Sequence, residues 1–358
     1  MKGFINTPAG LRLRKDYPTG DIILTIPYKT VVNINKIESG WANISLEDYN
    51  PDLSFLQTFW ASMQYITSMV SSYTLGIHFI NNHGEARKAL ERGLKAALVM
   101  NGKVSAATLA RDFPNATIVY RRDYEGQNAQ DFFKALEVAA DDPPNLYYVG
   151  MNEGATNSDK TIRERFGFDL TLAKLINDRR KTFVPSYLAF SGGHGNPAWI
   201  EQQWMQSLMR DTYAKAYNDG VFAFDCHNYT CGTYPRPGTY VDPTWYETRT
   251  NRLFFNCGFS PSVRNIWHTE SGIEGGCGDG KTKPGIPGGF RANNYTTNEF
   301  REWVRREKQI QSERIVLNGI SFDSPNRFGF VFQRGDSGMW GGYNLTDDYV
   351  NVILEEQQ

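Results

Sequence analysis

The sequence predicts an α/β chain, a (β/α)8 TIM barrel behind a small all-β module at the N-terminal end, on three observations. From about residue 74 onward, short apolar runs alternate with amphipathic segments of helical period, as strands and helices do in a parallel barrel. Two of those runs, within 145–154 and 264–272, lead into a glutamate closely followed by glycine: Glu153 and Glu270. Before residue 68, apolar and polar residues alternate in short stretches divided by turns, as in half-buried strands. No Gly-x-Gly-x-x-Gly follows a strand, which counts against an open dinucleotide-binding sheet.

A chain of 358 residues accommodates a module at 1–68, a polar linker at 69–73 and a barrel at 74–358, since such barrels take roughly 250 residues. In the module, strands are expected at 10–14, 21–26 and 30–34, with a turn at Pro18-Thr-Gly20. In the barrel, strands are expected at 75–80, 96–100, 116–120, 146–150, 182–188, 221–225, 265–267 and 328–332. Helical patterns fall at 84–92, 128–140, 159–178, 200–219, 244–255 and 297–313. The glycine- and proline-rich stretch 272–294 follows the strand that carries Glu270 and is expected to wall a cleft.

Composition excludes some partners. A net charge of −1 gives no electrostatic reason to expect nucleic acid or an anionic membrane. No apolar run approaches the roughly 20 residues of a membrane span, and the first residues, Met1-Lys-Gly-Phe-Ile-Asn6, lack the apolar core of a secretion signal. A mature secreted protein would read the same way, and the extracellular side is favoured. Aromatics make up 14% of the chain, which suits sugar-stacking surfaces as well as core packing. The four cysteines, Cys226, Cys231, Cys257 and Cys277, lack metal-type spacing, so one or two disulfides clamping the late strand-end loops are preferred over free buried thiols. The 5 histidines are scattered with no His-Glu-x-x-His, so neither a metal site nor a cofactor is expected.

In a parallel barrel every strand opens its C-terminal end on one face, so Glu153 and Glu270 can converge despite their separation in sequence. Carboxyls roughly 5 Å apart suit a retaining double displacement, one as nucleophile and the other as acid and then base. The rival carboxylates are Asp225, Glu274 and Asp336. His78, on the first strand, either binds a substrate hydroxyl or is a hydrogen-bonded core histidine.

Two resemblances follow from quoted residues. Leu11-Arg-Leu-Arg14, Gly40-Trp41-Ala42 and Phe59-Trp-Ala-Ser-Met-Gln-Tyr-Ile66 resemble the bacterial SH3-like domain, with Phe59 in place of a glycine. Such modules often attach enzymes to cell-wall or other polymers. Asn152-Glu153 and Glu270 resemble the acid/base and nucleophile positions of clan A glycoside hydrolases, family five among them. His227-Asn-Tyr229 resembles the His-x-Tyr element beside that nucleophile, and Trp340 the tryptophan under the cleaved sugar. The resemblance implies Glu153 as acid/base, Glu270 as nucleophile, and substrate contacts from Asn152, His227, Tyr229, Trp340, His78 and Arg121. The arginine of the clan pattern is missing from the second strand, and the nearest candidates are Arg121 and Arg122 after the third. The expected activity is a retaining endo-β-glycanase of the cellulase or mannanase sort, acting on a polysaccharide or oligosaccharide. The alternatives are a cell-wall or capsule glycan hydrolase targeted by the module, and a carbohydrate-binding barrel without chemistry.

Overall fold

Alternation along the strands decides how the larger part of this protein is layered, as a computed structural model shows. It describes residues 2–5, 11–15, 20–26, 31–38, 41–46, 59–62, 66–68, 73–123, 128–151, 158–180, 186–187, 203–225, 227–231, 256–260, 263, 265–274, 289–312, 315–317, 320–335 and 341–357. The chain divides into two compact units, Met1–Ser72 and Tyr73–Gln358.

The first unit holds β1 (Lys2–Ile5), β2 (Leu11–Arg14), β3 (Ile22–Ile26), β4 (Val31–Glu38), β5 (Trp41–Leu46), β6 (Phe59–Ser62) and β7 (Ile66–Ser68). They form one 7-stranded antiparallel sheet in the order β3-β2-β6-β5-β4-β1-β7. Leu13, Ile44 and Ala61 are wholly buried there.

The second unit is an α/β barrel-like fold. Its strands are β8 (Thr74–Ile80), β9 (Ala96–Met100), β10 (Thr117–Arg121), β11 (Leu146–Tyr148), β12 (Ser186–Tyr187), β13 (Phe224–Asp225), β14 (Asn228–Cys231), β15 (Ile266–Glu274) and, after a small hairpin of β16 (Ile315–Leu317) and β17 (Ile320–Phe322), β18 (Asn326–Arg334). The parallel sheet runs β11-β10-β9-β8-β18-β15-β13-β12, with β14 beside β15. The last strand therefore pairs with the first, Phe328 opposite Thr74, which is what curling into a barrel requires.

Side chains at alternate positions sort to opposite faces of this sheet. Leu75, Ile77, Phe79, Val99 and Ile118 join the large apolar layer shared with the helices. Ala96, Leu98, Val119, Trp267, Phe328 and Phe330 form a separate cluster on the other face, the filled interior of the barrel.

The helices are α1 (His83–Glu91), α2 (Lys103–Asp112), α3 (Ala129–Leu136), α4 (Asp159–Arg180), α5 (Gln203–Met209), continued by a π turn at Arg210–Ala214 into α6 (Lys215–Asn218), then α7 (Thr297–Ser312) and α8 (Asp347–Glu355). Several of their starts are set by side-chain caps, although α2 begins at Gly102 without one. Asn128 accepts from Asp131 N at 2.9 Å, and Thr296 and Glu299 form a reciprocal capping box at the head of α7. Among the described residues no helix is long and apolar enough to cross a membrane.

Three expectations need correction. The seventh barrel strand runs from Ile266 to Glu274 rather than 265–267, so Glu270 lies within a strand rather than just past its end. The apolar run is short because His268, Thr269 and Glu270 find polar partners on neighbouring elements, so burial does not demand apolar side chains there. The sequence reading also named neither α2, α8 nor the β16–β17 hairpin. Finally, Cys257 is a free thiol, wholly buried in the apolar layer, and burial pushes its pKa up to about 12. Cys226, Cys277 and the Cys231 side chain lie outside the described residues, as do the helical pattern at 244–255 and most of 182–188.

A thiol so buried and so weakly acidic is inert while the fold holds. Iodoacetamide should leave Cys257 unmodified in the native protein and alkylate it in denaturant without reductant, as read by peptide mass mapping. Native-state alkylation, or a need for reductant, would contradict this packing.

Candidate active site

Beyond this interior cluster, toward the strands' C-terminal ends, an apolar group of Ile80, Met100 and Phe332 stands beside buried polar side chains. β8 contributes His78, β10 its last residue Arg121, β13 its last residue Asp225, and β15 Glu270. His227 and Asn228 follow β13 by two and three residues. All six are buried, Glu270 being 8% exposed.

Glu270 is the hub. One carboxylate oxygen is ion-paired with Arg121 Nη1, and the other lies 3.1 Å from His227 Nδ1. Arg121 comes from the far side of the barrel mouth, since β9, β8 and β18 stand between β10 and β15 in the sheet. A carboxylate withdrawn from water is unfavourable unless donors replace the lost hydration, and here each oxygen has its own. The contact with an anionic acceptor places a proton on His227 Nδ1.

Two neighbours respond to this arrangement. His78 is fully buried against the Phe332 ring, and neither of its nitrogens meets a hydrogen-bond partner among the described residues. Burial first, and then the Arg121 charge, lowers its pKa from 6.5 to about 3, so the ring is neutral. Among the described residues the side chain has no hydrogen-bond partner, and it is closed to solvent. Asp225, also fully buried, accepts from Thr269 N at 2.9 Å and from Thr269 Oγ1 at 2.5 Å. Burial raises its pKa from 3.8 to about 6. Both oxygens of this rival carboxylate are occupied in holding β15 one residue before Glu270.

The fourth barrel strand is anchored just past its end. Arg165, on α4, donates to the carbonyl of Met151 and is ion-paired at 3.1 Å with Asp169, which also takes the Tyr213 hydroxyl at 2.7 Å. Asn152 and Glu153, which come next, lie outside the described residues, as do Asp336 and Trp340. Only the backbone of Tyr229 and Glu274 is described, in β14 and β15. The structure therefore brings together Glu270, Arg121, His227 and His78 from the predicted set. It adds Thr269 as a partner of Asp225, which no sequence signal marked, because a threonine in a strand is unremarkable until its partner is known. Among the described residues no group of His, Cys, Asp and Glu is arranged to hold a metal ion.

No family model matches the chain, and neither does any curated protein. Among solved structures, the endo-β-1,4-mannanase from Thermotoga petrophila is similar at 10% identity over 79% of this chain and 75% of that one, with a TM-score of 0.42. A glycoside hydrolase family 5 enzyme from Prevotella bryantii B14 matches at 8% identity over 79% and 96%, also with a TM-score of 0.42. A mutant of a hyperthermophilic β-glucosidase matches at 11% identity over 90% and 79%, with a TM-score of 0.38.

The two shifted groups pull stability in opposite directions with pH. Between pH 6.5 and about 3 the unfolded chain protonates His78 and the native chain does not, so acidification removes stability. Between about 6 and 3.8 the native chain protonates Asp225 and the unfolded chain does not, so acidification adds stability. Asp225→Asn removes the second effect. Its unfolding free energy from urea titrations should fall more steeply than the wild type's as pH drops through this window, by up to about 1.4 kcal/mol per pH unit. Identical slopes would rule out the raised Asp225 pKa.

Proposed function

We propose that the barrel is a retaining glycoside hydrolase acting on a β-linked polysaccharide, with Glu270 as nucleophile and Glu153 as acid/base. The observation that carries this reading is the double anchoring of Glu270 by Arg121 and His227 at the C-terminal edge of the sheet. A nucleophilic carboxylate must be ionised and aimed, and an arginine on one oxygen with an imidazole N–H on the other supplies both conditions.

In this mechanism Glu153 begins protonated, gives its proton to the departing sugar oxygen, and then takes one from the water that releases the glycosyl–Glu270 ester. Its pKa has to change between the steps. The negative charge of Glu270 raises it at first, and covalent capture of that charge lowers it, so one side chain serves as acid and then base. Glu153 follows the anchored Met151 carbonyl by two residues, which supports a fixed approach from the fourth strand. Asn152 would hold the sugar 2-hydroxyl, Tyr229 would donate to the nucleophile, and Trp340 would floor the subsite of the cleaved sugar.

A second reading keeps this chemistry and makes the substrate a cell-wall or capsule glycan. The separate antiparallel unit Met1–Ser72 favours it, since a polymer-binding SH3-like module of that kind holds an enzyme to an insoluble substrate. A panel of soluble β-mannan, β-glucan, xylan and bacterial wall separates the two.

Glu270→Ala should abolish turnover on the substrate found, and external azide should restore it as the inverted α-glycosyl azide. Glu153→Ala should spare substrates whose leaving group needs no protonation, with azide giving the β-glycosyl azide. Near-normal activity of both variants, or an inverted product from the wild type, would sink the mechanism.

A further inference from the structure

The helix packed outside the barrel wall carries a carboxyl where its pattern calls for an apolar side chain. α7 buries Phe300, Trp303, Val304 and Ile310 at the three- and four-residue spacing of a core-facing helix. Glu307 stands in the middle of that stripe with 0% exposure. A carboxyl there is unfavourable unless donors reach it, and a leucine would serve packing better. Its position therefore asks for a reason other than stability.

Two donors converge on one oxygen of Glu307: Asn228 Nδ2 at 2.6 Å and the Tyr73 hydroxyl at 3.3 Å. The Tyr73 oxygen also lies 3.0 Å from His268 Nδ1. Since its own proton goes to Glu307, it accepts from His268 in that contact. Gly329 makes the arrangement possible, because a Cβ on β18 at that place would collide with the Tyr73 hydroxyl.

Each arm leads to one partner of the central contact. Asn228 is bonded to His227 in the chain, and His268 precedes Glu270 by two residues on β15. One carboxyl behind the sheet thus ties together the two segments that bring His227 Nδ1 to within 3.1 Å of Glu270. We infer that Glu307 is a positioning residue for the nucleophile, fixing through Asn228 and through Tyr73–His268 how His227 meets Glu270. The inference rests on the reading of Glu270 as nucleophile. Catalytic geometry is steep enough for the effect to be large, since a misplacement of about 1 Å can cost about 100-fold in rate.

Histidine imidazoles report the relay directly. With 5 histidines in the chain, protein labelled with 15N at histidine gives a spectrum in which His227 and His268 are followed separately. Tyr73→Phe keeps the ring and removes the hydroxyl that bonds to His268 and Glu307. Glu307→Gln keeps an accepting oxygen and removes the charge, and Asn228→Ala cuts the other arm. All three variants should shift the His227 resonances and lower kcat about 10- to 100-fold on whichever of soluble β-mannan or β-glucan is turned over, with KM nearly unchanged. A change at His268 alone in Tyr73→Phe, with His227 and kcat as in the wild type, would overturn the inference. If Glu307→Gln does not fold, the other two variants decide it. Failure of the underlying reading looks different: Glu270→Ala would keep its turnover, and the histidine spectra alone would then show whether the relay exists.

Discussion

The ion pair between Arg121 and Glu270 is the interaction on which the polar end of the barrel depends. It joins strands separated by three others in the sheet, so it spans the mouth rather than following the wall. Breaking a buried pair by removing one partner typically costs about 3 to 5 kcal/mol, because the remaining charge is stranded away from water. The other features of the site answer to this pair. His227 takes the oxygen that Arg121 leaves, and Asp225 pins the residue before Glu270. His78 is kept neutral by its burial first and by the same positive charge second.

Much of the barrel was legible because its strands are buried on both faces and so read as unbroken apolar runs. The second strand, Ala96–Met100, falls where the run falls, and the first and third differ from their runs by a residue at the ends. The reading failed where polar residues are buried with partners that lie far away in sequence. β15 continues through His268, Thr269 and Glu270 because Tyr73, Asp225 and Arg121 meet them, and no local pattern reveals partners 195, 44 and 149 residues distant. The same limit hid Glu307, whose place in an apolar helical stripe becomes visible only when the stripe is seen to face Asn228 and Tyr73.

The site was legible in a different way. Glu270, His227 and Arg121 were found by the resemblance of short motifs and by where strands end, whereas their mutual geometry came from the fold. Arg121, which ends the third strand, is ion-paired with Glu270. A guanidinium on a long flexible stem can serve the same carboxylate from a neighbouring strand, so the position of such a residue in sequence is less constrained than its charge. Cys257 packs as a small apolar side chain, which spacing along the chain cannot distinguish from a linked one.

The pairing of β18 with β8 has a topological consequence. Gln357 reaches back to the Leu75 carbonyl, and its side-chain oxygen accepts from the Lys95 amide at 3.0 Å. The segment from 73 to 357 therefore starts and finishes at one spot, with its first and last strands side by side. A short bridge between those two points, with a new break at the exposed Pro114 and Asn115, would leave the described ladders of the parallel sheet intact. The order in which this barrel is read by the ribosome is thus separable from the order in which its strands stand, and a circular permutant could carry the same polar mouth at a different place along its chain.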